Sequence, residues 1–489
     1  MRTLKKAGIA GLEGGVVELT GEELADLNSR VEGPLLRAGD EGWDDAVRTW
    51  NGMVATVPAL VAQPKSPHDV AAAVRFARDH ELRLSVKGGG HHIAGTSIAE
   101  RGLTLDMSRM REVGVDPRAR LAHVGPGCLL QDVDRATQEH GLATVLGFIS
   151  EVGVAGLTLG GGLGYLTRRF GWTVDNLLEV EVVTADGRIR RASRDENPDL
   201  FWAMRGAGAN FGAVTRFTFR LHPLGPTVYG GLIAWPFERA NEILKAYRTI
   251  TTESCRELSV WLMLLRAPPM PFVPDDWRGK RIGAMAVCYT GNLDRTGQVL
   301  APIRALGEPV FDLLHEQPYV EMQSYLDETE PKGMHYYWKT EYLAALADDL
   351  LSTARDLFSE CPIPEADLGI LHLAGALNER DADDGAVGNR DARYVIGVKG
   401  MWRPGEPDGN EFRQWVQDAW EKLRRFSTGG NYINFQTADE DERRIRSTYG
   451  VHFDRLRELK TKWDPGNLFR ANRNILPYLE GSRQNTSMA

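Results

Sequence analysis

Three consecutive glycines directly after a strand-like run place the tightest constraint on this chain. Leu82, Leu84 and Val86 alternate with Arg83, Ser85 and Lys87, the period of a strand. The run passes straight into Gly88, Gly89 and Gly90, and then into His91 and His92. A turn with no side chains over three residues lets its backbone approach another backbone, or an anionic ligand, very closely. Just upstream, Ser66-Pro67-His68-Asp69 reads as a helix start: a capping serine, proline in the first turn and an acid behind it. Val70, Ala73, Val74 and Ala77 then recur at helical spacing. A second strand at 103–105 ends at Asp106, and Gly125-Pro126-Gly127 opens a helix that stops near Gly141. Short strands alternating with helices predict an α/β or α+β unit.

A second glycine-dense stretch holds Gly153, Gly156 and the cluster Gly160, Gly161, Gly162 and Gly164. Beyond it, 178–184 reads as a strand, Asp186-Gly187 as its turn and 188–192 as its return. Residues 205–210 form another glycine-rich loop, and 215–221 alternates again. Past Gly225 the glycine clusters thin out and Trp and Tyr increase, so a second unit is expected over 226–427, with its acidic stretch 378–389 as a surface loop. Motif-like sequence resumes after Gly429. A length of 489 residues suits about two to four domains.

The formal net charge of -9 argues against nucleic acid as a partner, since an acidic chain repels phosphate backbones. No apolar run approaches the roughly 20 residues that span a bilayer, so no membrane association is expected. The opening MRTLKKAGIAGLEGG has no apolar run of signal-peptide length. Cys128, Cys255, Cys288 and Cys361 are scattered, which reads as reduced, packed thiols of a cytoplasmic protein and gives no metal site.

Singly, these features stay ambiguous. Glycine runs are commonly only tight turns, the 160–164 cluster lacks a spaced GxGxxG pattern, and a histidine beside a glycine turn can be structural. Together they resemble a family. Lys87-Gly88-Gly89-Gly90-His91-His92-Ile93-Ala94-Gly95 resembles the flavin-attachment loop of the vanillyl-alcohol-oxidase/PCMH-type FAD-binding superfamily. Within it the chain looks most like bacterial berberine-bridge-enzyme-like oxidases, a group that includes 6-hydroxynicotine oxidases. Trp50-Asn51-Gly52 and Pro58-Ala59-Leu60 resemble the opening segment of that family. Residues 157–164 with 173–177, and 196–203 through 210–212, resemble its second and third FAD motifs. Tyr432-Ile433-Asn434-Phe435 and 463–469 resemble its closing motifs.

The resemblance implies an α+β fold. A PCMH-type FAD-binding domain would be built from both chain ends, 1–225 (core about 54–224) and 428–489, with an inserted α+β substrate domain, an antiparallel sheet with helices, at 226–427. It implies FAD bonded covalently through His91. Cofactor contacts would come from Lys87, Gly88, Gly89, Gly90, His92 and Gly95. Further contacts would come from Val152, Gly153, Gly156, Thr158, Gly161, Gly162 and Gly164, and from Asn210, Val214, Tyr432 and Asn434. Where many relatives carry a second attachment cysteine this chain has Ile149, so a single attachment is expected, and Cys128 reads as packing.

The implied activity is an oxidase. A hydride would pass from an alcohol, sugar or amine to the flavin, and O2 would accept the electrons to give H2O2. Val152 stands at the family's oxygen-gate position, where valine is permissive. Tyr432, Lys339 and His372 are the candidate bases, with Lys339 the cation that would lower the Tyr432 phenol. A monooxygenase or dehydrogenase on the same fold is the alternative. Gly369 weakens the monooxygenase reading, because it stands where a glutamate would be expected. A flavin-binding protein without catalysis is the third reading. The small-molecule substrate and the oligomeric state are not legible in the sequence.

Overall fold

The computed structural model describes residues 6–478. After a hairpin, Ala7–Ala10 with Val16–Leu19, and the helix Gly21–Arg30 comes a small sheet: β1 (Leu35–Leu36), β2 (Leu60–Ala62), helix α1 (Pro67–Asp79), β3 (Leu84–Lys87) and β4 (Leu103–Asp106). Its strand order is β1-β2-β4-β3, and β2 and β3 both run parallel to β4. Parallel neighbours need a crossover, and α1 supplies it. Ser66 caps α1 by accepting from the Asp69 N–H, Pro67 occupies the first turn, and Val70, Ala73, Val74 and Ala77 are all buried. The helix forms where the sequence pattern places it because cap, proline and apolar stripe agree.

A second sheet follows: β5 (Val113–Asp116), β6 (Leu121–Val124), then helices α2 (Leu130–Gln138) and α3 (Val154–Leu159), β7 (Leu177–Val183), β8 (Ile189–Ser193), helix α4 (Pro198–Ala207) and β9 (Ala213–Arg220). It is antiparallel in the order β8-β7-β9-β6-β5. Phe217 and Phe219 lie in the core against Leu200, Phe201 and Trp202 of α4.

The largest sheet is antiparallel throughout. It is built from β10 (Thr227–Pro236), followed by helix α5 (Ala240–Glu253), then β11 (Leu258–Arg266), β12 (Arg281–Tyr289), β13 (Phe311–Asp312), β14 (His315–Pro318) and β15 (His335–Leu343). Helix α6 (Asp348–Ser359), β16 (Glu365–His372), β17 (Tyr394–Trp402) and helix α7 (Gly409–Arg424) complete it. The order is β13-β10-β12-β11-β16-β17-β15, with β14 also on β10. Alternation along each strand divides the two faces. Val260, Leu262, Leu368, Ile370, Ile396 and Val398 pack under α5, α6 and α7. The opposite face is left for the site.

The chain then returns through α8 (Glu442–Tyr449) and α9 (Phe453–Trp463), and Tyr449, Leu456 and Ile475 join the core beneath the second sheet. Lys460, wholly buried, holds the closing segment. Its Nζ lies 2.6 Å from Asp464 and donates to the carbonyls of Asn210 and Phe469. The acidic stretch 378–389 is only half a surface loop. Residues 381–383 are exposed, but Ala386 and Val387 are buried beside Trp202 and Gly206, because the Ala386 and Val387 N–H groups donate to the Trp202 and Arg205 carbonyls. Among the described residues no helix is long and apolar enough to cross a membrane, and no group of three His, Cys, Asp or Glu side chains converges on a metal-sized point.

Candidate active site

One cavity of about 1660 Å³ runs between the glycine turns and the free face of the large sheet. Small-molecule sites are commonly about 300–1,000 Å³, so this one has room for a dinucleotide cofactor and a further molecule. Its inner wall is made by two backbones in contact. A Cβ on Gly89 would lie 2.5 Å from the Gly153 nitrogen, and a Cβ on Gly153 would lie 2.3 Å from the Gly89 nitrogen. Neither position can carry a side chain without separating the two turns. Gly88, Gly89, Gly90, His91 and His92 line the cavity from one side; Ile149, Val152, Gly153, Gly156 and Gly160 line it from the other. Asn210, Val214, Tyr432 and Asn434 line it as well.

His91 sits at the end of the first turn, its ring stacked on Trp50 at 4.5 Å and 16°. Trp50 in turn stacks on Tyr336 of β15 at 3.8 Å. Asn51 ties the three segments together: its amide donates to the Ile93 and Tyr336 carbonyls, and its Oδ1 accepts from the Tyr336 N–H. Burial is the main force on the imidazole and pulls its pKa down to about 4. The ring is therefore neutral near pH 7 and keeps a lone pair. His92 is held lower still, at about 3, again chiefly by burial.

Tyr432 is buried and shares the wall. Its Oη accepts from the Gly162 N–H at 3.0 Å and from the Asn434 amide at 2.9 Å. Burial pushes the phenol up, and those two hydrogen bonds oppose the push. Polar atoms without a partner also face this space, among them Ser97 Oγ and Asn472 Oδ1, both on residues that line the cavity. A backbone-walled cleft with waiting polar atoms fits a dinucleotide carrying a flat ring.

Other sequence-derived residues lie off the cavity wall. Lys87 pairs with Asp106 at 3.5 Å beneath the turn. A Cβ on Gly95 would meet Val54, and one on Gly162 would meet Thr173 Oγ1, so these glycines make room for protein atoms. Thr158, Gly161 and Gly164 are also outside the lining. Two candidate bases point the wrong way. Trp338 and Thr340 of β15 line the cavity, so Lys339 between them faces the helices, 3.0 Å from Asp439 and 2.9 Å from Glu440. Leu371 lines the cavity, so His372 beside it faces away and stacks on Tyr394 at 5.3 Å. Neither reaches Tyr432. Sequence reading gave no role to Glu330, Asp367 and Lys399, which line the sheet side of the cavity. Strand register reveals Asp367 and Lys399, and Glu330 reaches them from the loop before β15.

A glycine-walled dinucleotide cleft roofed by an antiparallel sheet defines an FAD-dependent oxidoreductase of the PCMH type, and solved structures bear the fold out. 6-Hydroxy-D-nicotine oxidase from Arthrobacter nicotinovorans superposes with a TM-score of 0.81 at 26% identity, covering 92% of this chain and 98% of that one. Xylooligosaccharide oxidase from Myceliophthora thermophila gives 0.81 at 24% identity, covering 94% and 99%. In sequence, residues 58–193 match the family described as "FAD binding domain", and residues 431–476 match "Berberine and berberine like". An FAD-linked oxidoreductase of Dictyostelium discoideum is 32% identical over 91% of this chain and 95% of that protein. The (R)-6-hydroxynicotine oxidase of Paenarthrobacter nicotinovorans is 30% identical over 92% and 98%. The chain belongs to the berberine-bridge-enzyme-like FAD-linked oxidoreductases.

Proposed function

We propose that the chain is an oxidase that carries its FAD on a single covalent bond, through His91. Its overall reaction takes two hydrogens from an alcohol, sugar or amine substrate and transfers them to O2, giving a carbonyl or imine and H2O2. The observation that carries the reading is His91 itself. It closes a three-glycine turn, is neutral at working pH, and has its ring plane fixed by Trp50. Ile149, on the facing segment, cannot form a thioether, which leaves one attachment point.

FAD bound there supplies the two-electron acceptor for the substrate's hydride. Gly88, Gly89 and Gly153 bring backbone to the cofactor, and Asn210 and Val214 complete that wall. Tyr432 would orient the substrate: burial keeps the phenol protonated and both hydrogen bonds at its Oη are accepted ones, so its O–H is left to donate to a substrate atom. Val152 keeps a small side chain on the wall beside the glycine contact, which suits O2 access. The 30%-identical relative named an oxidase supports O2 as the acceptor.

The test is a substrate screen with the purified yellow protein, following flavin bleaching without air and peroxide with air. One equivalent of peroxide per substrate oxidised is expected. Reoxidation only by a quinone or dye would make the protein a dehydrogenase.

A further inference from the structure

Trp50 links the attachment turn to the large sheet. Its ring stacks on His91 at 4.5 Å and 16°, and on Tyr336 at 3.8 Å and 20°. Two rings cannot both stack that closely on one face, so the indole is sandwiched between imidazole and phenol. Trp338 adds a tilted contact at 5.5 Å. The indole N–H donates to the Glu330 carbonyl at 2.9 Å, and the Gly333 N–H donates to the Trp50 carbonyl at 2.9 Å. Tyr336, Trp338, Met334 and Met401 pack with Trp50 and Ile93 in one apolar cluster. Tyr336 and Trp338 lie on β15, Met401 on β17, and Met334 directly before β15.

Backbone closes this contact as much as the rings do. The Gly52 N–H donates to the Met334 carbonyl at 2.8 Å. A Cβ on Gly52 would lie 2.2 Å from the Gly333 carbonyl oxygen, so only glycine lets residues 50–52 close on the loop before β15. The Tyr336 hydroxyl donates to the Pro331 carbonyl at 2.7 Å, which ties its ring to the same loop. From the other side, the Trp50 N–H donates to the Gly90 carbonyl at 3.0 Å. The imidazole of His91 therefore takes its orientation, through Trp50, from β15. Orientation matters where a nitrogen lone pair has to meet one carbon, because a misplacement of about 1 Å can cost about 10²-fold in rate.

We propose that the Trp50–Tyr336 stack is the template that orients His91 for bonding to the flavin, so that covalent attachment follows the docking of β15 onto residues 50–52. Trp50 and Tyr336 are positioning residues: neither ring gives or takes an atom. In the step itself, a ring nitrogen of His91 bonds to a methyl carbon of the flavin ring. One C–H bond of that methyl breaks, and the imidazole gives up its N–H proton. The two electrons of the broken bond, its hydrogen and the imidazole proton are taken up by O2 as H2O2. This rests on attachment through His91 and adds what makes that histidine competent.

The test starts from the full-length chain, made in flavin-starved cells and mixed with saturating FAD in air. Binding is read from quenching of flavin fluorescence, and attachment from the flavin that stays with acid-precipitated protein. Tyr336→Leu removes the second ring of the stack, and Gly52→Ala forces the two backbones apart without touching any ring. Both should bind FAD with wild-type affinity yet attach it about 10- to 100-fold more slowly. Tyr336→Phe keeps the ring and should attach at the wild-type rate. Attachment by Tyr336→Leu or Gly52→Ala as fast as wild type overturns the proposal. So does a slowing that comes with an equal loss of FAD affinity, or a Tyr336→Phe protein as slow as Tyr336→Leu. A wild type that never holds acid-stable flavin refutes attachment itself, and the template with it. A wild type that attaches flavin no faster than its variants refutes the template alone.

Discussion

At His91 the proposed attachment depends on a neutral imidazole held in one plane. Burial supplies the neutrality and Trp50 the plane. Acid-denatured wild type should stay yellow, and His91→Ala should release its flavin into the supernatant. Mass spectrometry should place FAD on the peptide containing His91; finding it on His92 would refute the assignment. Tyr432 is the second residue whose role can be isolated. Tyr432→Phe keeps the ring that packs between Trp172 and Phe435 and deletes only the hydroxyl. Flavin loading should be normal while substrate-driven reduction slows by about tenfold, the range for losing one hydrogen bond to the substrate. A stopped-flow rate near wild type would remove Tyr432 from the mechanism. The place of both on the cavity wall was legible because each sits in a local motif whose neighbours fix it. Lys339 and His372 were not. Their sequence neighbourhoods are as suggestive, but a single-residue step along a strand decides cavity or helix side, and that step is set by the ladder.

The element on which the proposed O2 access rests is the segment 147–153, which presents Ile149 and Val152 to the cavity. It is gripped from outside. Asp327 accepts from the Ser150 N–H and Oγ at 2.7 and 2.5 Å, Gln323 donates to the Gly147 carbonyl, and Lys332 pairs with Glu151 at 2.8 Å. Gly153 is fixed against Gly89 from inside. A segment held on both sides cannot easily yield to a larger side chain. Val152→Ile adds one methylene there, and overpacking should narrow O2 access. Reoxidation of reduced enzyme by air should slow while reduction by substrate is unchanged; equal reoxidation rates in the two proteins would dismiss the gate. Helix α1 and strands β3, β7 and β8 could be read from the sequence because cap, period and turn residues agree along each. The glycine cluster 160–164 misled in part. Its residues are glycine to admit Thr173 and Leu146 as much as to face a ligand, and composition does not distinguish these demands.

Across the whole molecule, the inserted sheet meets the glycine-rich part at a buried polar contact that no sequence motif announces. Asp134 of α2 is 1% exposed and meets the short helix Tyr319–Gln323, with Gln323 Nε2 3.2 Å from its Oδ2. Burial raises the Asp134 pKa from 3.8 to about 7, so the carboxyl is protonated in the fold at mildly acidic pH. The sign follows from linkage. A folded pKa above the unfolded one gives stability that is complete below 3.8 and lost as pH rises through 7. His92 and His372 act in the opposite sense. Burial holds them at about 3 and about 2 against an ordinary 6.5, so their contribution is complete above 6.5 and is lost as pH falls towards those values. The two effects overlap: from 3.8 to 6.5 the histidines raise stability with pH while Asp134 offsets part of that rise, and above about 7 neither changes it further. Asp134→Asn mimics the protonated carboxyl, and its amide can donate to Gln323 Oε1, which has no partner of its own. The variant should steepen the rise between 3.8 and about 7 and hold a gain of about a few kcal/mol over wild type above that pH. Melting temperatures from pH 4 to 9, taken on both proteins, would show it. A slope between 3.8 and about 7 that is unchanged in Asp134→Asn would mean that this carboxylate is ionised in the folded protein and that the contact between the two parts is wetter than its burial implies.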